Sequence, residues 1–161
     1  MTFEEAVAAI PVGHYRHFKG NHYKVLAIAR HSETSEPMVV YRALYGEGGI
    51  WVRPAEMWNE AVTRDGKTVP RFRRISREQR IAFYEGIYDE LQAVDPAAGI
   101  SGELQSKCRF LEEYYTSGEW REDYEADEAG KLPHFLALKP QQNGFISAAK
   151  RFHFSSKRVS F

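Results

Sequence analysis

The chain has 161 residues, 43% hydrophobic and 27% charged, enough apolar material for one ordinary domain or two small ones, which excludes disorder throughout. Lysine plus arginine equals aspartate plus glutamate at 22 each, so no field of one sign dominates the whole molecule. A single cysteine, Cys108, excludes an intramolecular disulfide and a thiolate metal cage built from one copy, and it suits a reducing cytoplasm.

The first stretch, MTFEEAVAAI, carries Glu4 and Glu5 where a secretory leader would be basic, and no apolar run approaches membrane-spanning length. An unprocessed cytoplasmic protein with no membrane partner is expected. Thr2 followed by Glu5 is a capping box, predicting a short helix through about residue 9 that ends before Pro11 and Gly13. From Gly13 the residue types turn aromatic and β-branched, in short runs separated by Lys-Gly-Asn, by HSETSEP and by Gly-Glu-Gly-Gly. Strands are predicted near 13–18, 22–30, 38–45, 49–53 and 70–75, with Asp65-Gly66 marking a turn before the last. Five strands in so short a span favour a small SH3-like β-barrel, which removes exposed edges by closing on itself.

At Ser76 the pattern becomes helical. Ser76 and Gln79 form a second capping box, and Ile81, Tyr84, Tyr88 and Leu91 recur at steps of three and four before Asp95-Pro96 stops the helix. Ser101 starts another helix with Leu104, Cys108, Leu111 and Tyr115 on one stripe and Gly118 as its C-terminal stop. The expected fold class is α+β: a barrel domain over 1–75, a helical hairpin domain over 76–133, and a basic tail over 134–161. Charge follows these blocks. Residues 1–75 hold eleven basic against eight acidic side chains, 76–130 hold five against fourteen, and 131–161 hold six against none.

Two resemblances fit this division. Residues 13–75, with GHYRHFKG at 13–20, ARHSET at 29–34, VVYRALY at 39–45, WVRP at 51–54 and Pro70-Arg71-Phe72, resemble domain-of-unknown-function family 1653. Residues 77–133, above all LEEYY at 111–115, EWREDYEADE at 119–128 and Gly130-Lys131-Leu132-Pro133, resemble domain-of-unknown-function family 4298. The resemblances imply intracellular modules of bacterial type and a boundary near Ile75, and neither brings an activity. The tail after Pro133 departs from the second family, which usually continues with a short polar and acidic segment.

Candidate site residues come from the strands. Four of the six histidines, His14, His17, His22 and His31, lie within eighteen residues, but an odd spacing such as that of His14 and His17 sends the two side chains to opposite faces of a strand, which argues against a metal centre. No metal site and no cofactor are expected. HSETSEP reads as a hairpin loop, with Arg30 and His31 together at the exit of a strand where they would meet an anion. Arg42 interrupts the otherwise apolar face of Met38, Val40 and Leu44, and Arg53 shares a face with Trp51. Arg30, His31, Arg42, Trp51 and Arg53 are therefore the candidate ligand-binding set, because guanidinium beside indole suits phosphates, carboxylates and nucleobases. Against this stands packing of the same face on the helices, with its arginines paired to Glu85, Asp89 or Glu90.

In the acidic run 119–128, six carboxylates fall in ten residues, and Glu119, Asp123 and Asp127 share a helical face read as solvated, with Trp120 and Tyr124 anchoring the helix. Cys108 lies on an apolar stripe as an inert core thiol. No phosphate-binding glycine loop, nucleophile elbow or HExxH is present. The leading expectation is a non-catalytic binding or adaptor module whose barrel holds nucleic acid, a nucleotide or another anionic small molecule, with the helical unit supporting it or recruiting a protein partner. Two alternatives are a divalent-ion hydrolase using the 119–128 carboxylates with His31 or His134, and an oligomerisation scaffold using Tyr114, Trp120 and the tail.

Overall fold

The computed structural model describes residues 1–95 and 101–132 and divides the chain into two compact units, Met1–Ile75 and Ser76–Phe161. The expectations for Pro96, His134 and the basic tail lie outside the described residues. In chain order the first unit holds α1 (Phe3–Ala9), β1 (Gly13–His17), β2 (His22–Arg30), β3 (Pro37–Ala43), β4 (Ile50–Pro54), α2 (Ala55–Trp58), β5 (Ala61–Arg64), β6 (Lys67–Pro70) and β7 (Phe72–Arg74).

The capping box predicted at the N-terminus is made. Thr2 Oγ1 accepts the Glu5 amide at 3.1 Å, and the Thr2 amide donates to Glu5 Oε2 at 2.7 Å, satisfying two backbone donors that the first turn leaves without helical partners. α1 then buries Ala6 and Ile10 in the core cluster.

The main sheet is antiparallel, ordered β4-β3-β2-β1-β7. Its ladder is open, with β4 and β7 as its edges, so the strand pairing does not close the barrel expected from the strand count. The sheet curls nevertheless: Arg53 on β4 and Phe72 on β7 come within 5.9 Å, guanidinium carbon to ring centroid, although three strands separate them in the ladder. What they curl around is Trp58 of α2, a helix too short to leave a periodic signature. Trp58 is 1% exposed, stacks on Phe72 at 3.8 Å, and receives Tyr15 and Tyr41 edge-on at 5.4 and 5.0 Å. A register shift between Val25 and Ala27 breaks the strict alternation of β2.

Asp65-Gly66 is a turn as expected, but it caps a separate two-stranded ribbon, β5–β6, not the entry to the last strand. Both residues have positive φ, 52° and 74°, the conformation a two-residue hairpin needs. The last strand is correspondingly shorter than predicted.

The second unit contains α3 (Arg77–Gln92), α4 (Gly102–Tyr115) and α5 (Gly118–Glu128). Gly118 does not stop α4; it opens α5, whose N-cap is Ser117 accepting the Trp120 amide, so a third helix joins the expected hairpin. α3 buries Ile81, Tyr84, Ile87 and Leu91. The buried face of α4 is turned from the predicted stripe towards Ser106, Phe110, Leu111 and Tyr114, leaving Leu104, Cys108 and Tyr115 only half-buried. Tyr114 causes the rotation, since its ring stacks on Tyr84 at 4.0 Å and its hydroxyl bonds inside the unit. Among the described residues no helix is long and apolar enough to cross a membrane.

Candidate functional site

The structure separates the five sequence-derived candidates. Arg30 leaves β2 opposite Pro37, with its guanidinium carbon 4.2 Å above the Phe3 ring and Nη2 3.4 Å from Glu4, so α1 engages it. His31 organises the HSETSEP turn. Its Nδ1 accepts the amides of Glu33 and Thr34, each at 3.3 Å, its own amide donates to the Glu36 carbonyl at 2.8 Å, and Ser35 takes a φ of 60°. Arg42 pairs with Lys24 and Ile50 on the face of the sheet opposite Tyr41. Trp51, opposite Tyr41, and Arg53, opposite Val39, do share the core-side face of β4. Only those two are brought together.

The residues that join them come from three other strands and the loop after β3. At the open end of the aromatic core, Phe72 is flanked by His17 at 4.8 Å, Tyr23 at 5.5 Å and the Arg53 guanidinium at 5.9 Å. The Tyr23 and Tyr45 hydroxyls meet at 2.8 Å, closing one side of this mouth. Burial, with Tyr45 beside it, pushes the Tyr23 phenol up to about 12, so it stays a neutral hydrogen-bonding group. Burial also lowers His17 from its ordinary value of 6.5, and the charges of Arg71, Lys19 and Arg53 lower it further. The imidazole is therefore neutral at pH 7 and ringed by three cations. Arg71 is paired to Glu60 at 2.8 Å. Arg53 Nε is buried and has no hydrogen-bond partner among the described residues. Alternation along 13–17 and 39–45 could have put His17 and Tyr45 on the core-side face, but nothing local points to Tyr23 and Phe72 meeting there.

The acidic helix α5 behaves differently from its reading as a solvated face. Asp123 is fully buried and accepts hydrogen bonds from Arg80 through both Nε, at 2.9 Å, and Nη2, and from the Tyr114 hydroxyl at 2.8 Å. Arg77 Nε lies 3.3 Å away, and Glu119 lies 3.5 Å from Arg80. The cations that hold this face come from α3. Tyr114, expected as an exposed oligomerisation residue, is 1% exposed. Among the described residues no group of three or more histidine, cysteine, aspartate or glutamate side chains is arranged to hold a metal ion. Cys108 is half-buried, and burial followed by the Glu112 charge pushes its thiol up, away from thiolate chemistry.

Residues 13–74 match the family described as protein of unknown function (DUF1653), and residues 82–139 match the domain of unknown function DUF4298. A crystal structure of a DUF1653 protein from Bordetella bronchiseptica is 39% identical to this chain, covering 44% of it and 92% of that chain, with a TM-score of 0.41. No curated protein matches the chain at a significant level.

Proposed function

We propose, for a chain that belongs to the DUF1653 family through residues 13–74 and matches the DUF4298 domain over residues 82–139, a non-catalytic binding function in which the aromatic mouth of the first unit holds a planar, anionic ligand of the nucleotide class. One observation carries the reading: the Arg53 guanidinium stands over Phe72, which is flanked by His17 and Tyr23. The Arg53 side chain is only half-buried, so a phosphate or carboxylate oxygen can reach its guanidinium and accept a charge-assisted bond there. The rings give a base something to stack on, and Lys19, Arg53 and Arg71 favour negative charge. Trp51, 60% exposed on the same strand, extends the stacking surface.

The same reading takes the curled sheet as an SH3-like barrel left open at one seam, supported by β1 lying between β2 and β7 and by the approach of Arg53 to Phe72. It takes the protein as cytoplasmic, in keeping with its single free thiol, and the helical unit as an adaptor for a protein partner. Hydrolysis through the 119–128 carboxylates is the weaker reading, because Asp123 and Glu119 are directed at Arg80.

Titration with adenosine and uridine monophosphates, followed by tryptophan fluorescence, tests the proposal. Saturable quenching is expected, weakened roughly tenfold or more in Arg53→Ala, the loss of one charge-assisted bond, with the melting temperature little changed. A wild-type protein that binds neither nucleotide at millimolar concentration overturns it.

A further inference from the structure

A second feature lies beside the mouth. Arg16 on β1 and Arg73 on β7 are directly opposed in the antiparallel register. Directly opposed residues share a face of the sheet with their Cβ atoms only about 4.5–5.5 Å apart, and like charges so placed repel. Neighbouring acids do not relieve that repulsion: neither guanidinium forms an ion pair among the described residues, and Arg16 Nε donates only to the Gly20 carbonyl, at 3.3 Å. The two arginines line a depression of about 370 Å³ whose other walls include Phe18, Val69 and Pro70. His17 contributes to the walls of both this depression and the aromatic mouth, and because it follows Arg16 on β1 the two features open on opposite faces of the sheet and share this residue at the strand's end.

We infer that the Arg16–Arg73 depression holds the sugar–phosphate backbone of single-stranded nucleic acid adjacent to a base lodged in the mouth. The inference rests on the proposed nucleotide reading of that mouth and specifies its ligand as a polymer. A single phosphodiester between two opposed guanidiniums removes their repulsion and receives paired N–H donors. Phe18 and Pro70 give the next sugar or base an apolar contact. Single strands are required, because a base must leave its stack to reach Phe72 and Tyr23. The site lies on β1, β7 and the β6 edge, with no helix entering a groove and no set of side chains aimed at base edges, so sequence preference is expected to be weak.

The test uses the full chain and a fluorescein-labelled uridine decamer, followed by anisotropy across a salt series, with uridine monophosphate titrated in parallel. Wild type is compared with the double variant Arg16→Ala/Arg73→Ala. Because both arginines are exposed and mutually repelling, the variant should melt at or slightly above the wild-type temperature. For single strands each neutralised phosphate contributes about 0.7 to the slope of log affinity against log salt, so the double variant, which loses one phosphate, should lower the slope by about 0.7 and weaken the decamer roughly tenfold at low salt. Mononucleotide binding should be unchanged. If the decamer binds with the same slope in both proteins while the mononucleotide still depends on Arg53, the depression is not a backbone site and the mouth reading stands. If wild type binds neither ligand, both readings fall together.

Discussion

The first unit packs Ala6, Ile10, Tyr15, Val25, Val39, Tyr41, Ala55, Trp58 and Phe72 together and buries His14 against His22, but among the described residues it buries no lysine, arginine, aspartate or glutamate. The second unit does the reverse. It places Arg80 and Asp123 at its centre, with Tyr114 completing the shell of the carboxylate and Arg77 and Glu119 balancing the charge. The difference separates two uses of one chemistry. A guanidinium saturated from within its own unit fixes how three helices meet, whereas Arg16, Arg53 and Arg73, left with donors to spare, have something to offer a ligand.

The sharpest way to break this contrast is Asp123→Ala, which strands Arg80 in the interior. Removing one partner of a buried pair costs about 3–5 kcal/mol, so the helical unit should unfold at markedly lower urea than the sheet unit in the full chain. Replacing both partners, Arg80→Met with Asp123→Leu, should recover most of that loss. A cost below about 1 kcal/mol for Asp123→Ala would show that ring stacking alone holds the helices. Tyr114→Phe is gentler, keeping the stack on Tyr84 while removing one hydrogen bond to a charged acceptor. A loss of about 1.5–3 kcal/mol is expected in the same urea experiment.

The smallest effect concerns pH and belongs to the sheet unit. His17 and His22 both titrate below their ordinary 6.5 in the folded protein, mainly through burial. Between the lowered folded value and 6.5 the unfolded chain binds more protons than the native one, so this contribution is complete above 6.5 and is lost as pH falls through that window. Thermal melts of the full chain between pH 7.5 and 5 should show the loss, and His17→Asn should make it shallower. A steeper fall in that variant would contradict the assigned direction.

Local chemistry was legible in the sequence, and long-range convergence was not. Thr2 with Glu5, and Ser76 with Gln79, are complete within one helical turn, and both caps form where their spacing predicts. The α+β class follows equally from the change of period near residue 76. Asp123 and Arg80 lie 43 residues apart, so no window along α5 could show that its acidic stripe turns inward. The site suffered from the same limit. Trp51 and Arg53 are near neighbours on one strand and were legible as a pair, but their surroundings are drawn from β1, β2, β7 and the loop at Tyr45. Arg30 and His31 form a persuasive pair in the sequence, yet α1 and the turn's own amides engage them.

The open ladder also governs how the molecule behaves in company. β4 is an edge strand, and its Ile50, Trp51 and Val52 are 56, 60 and 62% exposed. Such a strand is a template for another extended segment, which makes this margin the place where strand addition and aggregation would start in concentrated or partly unfolded protein. Pro54, which has no amide hydrogen to donate, blunts the far end of that template and sets how many rungs an added strand can gain.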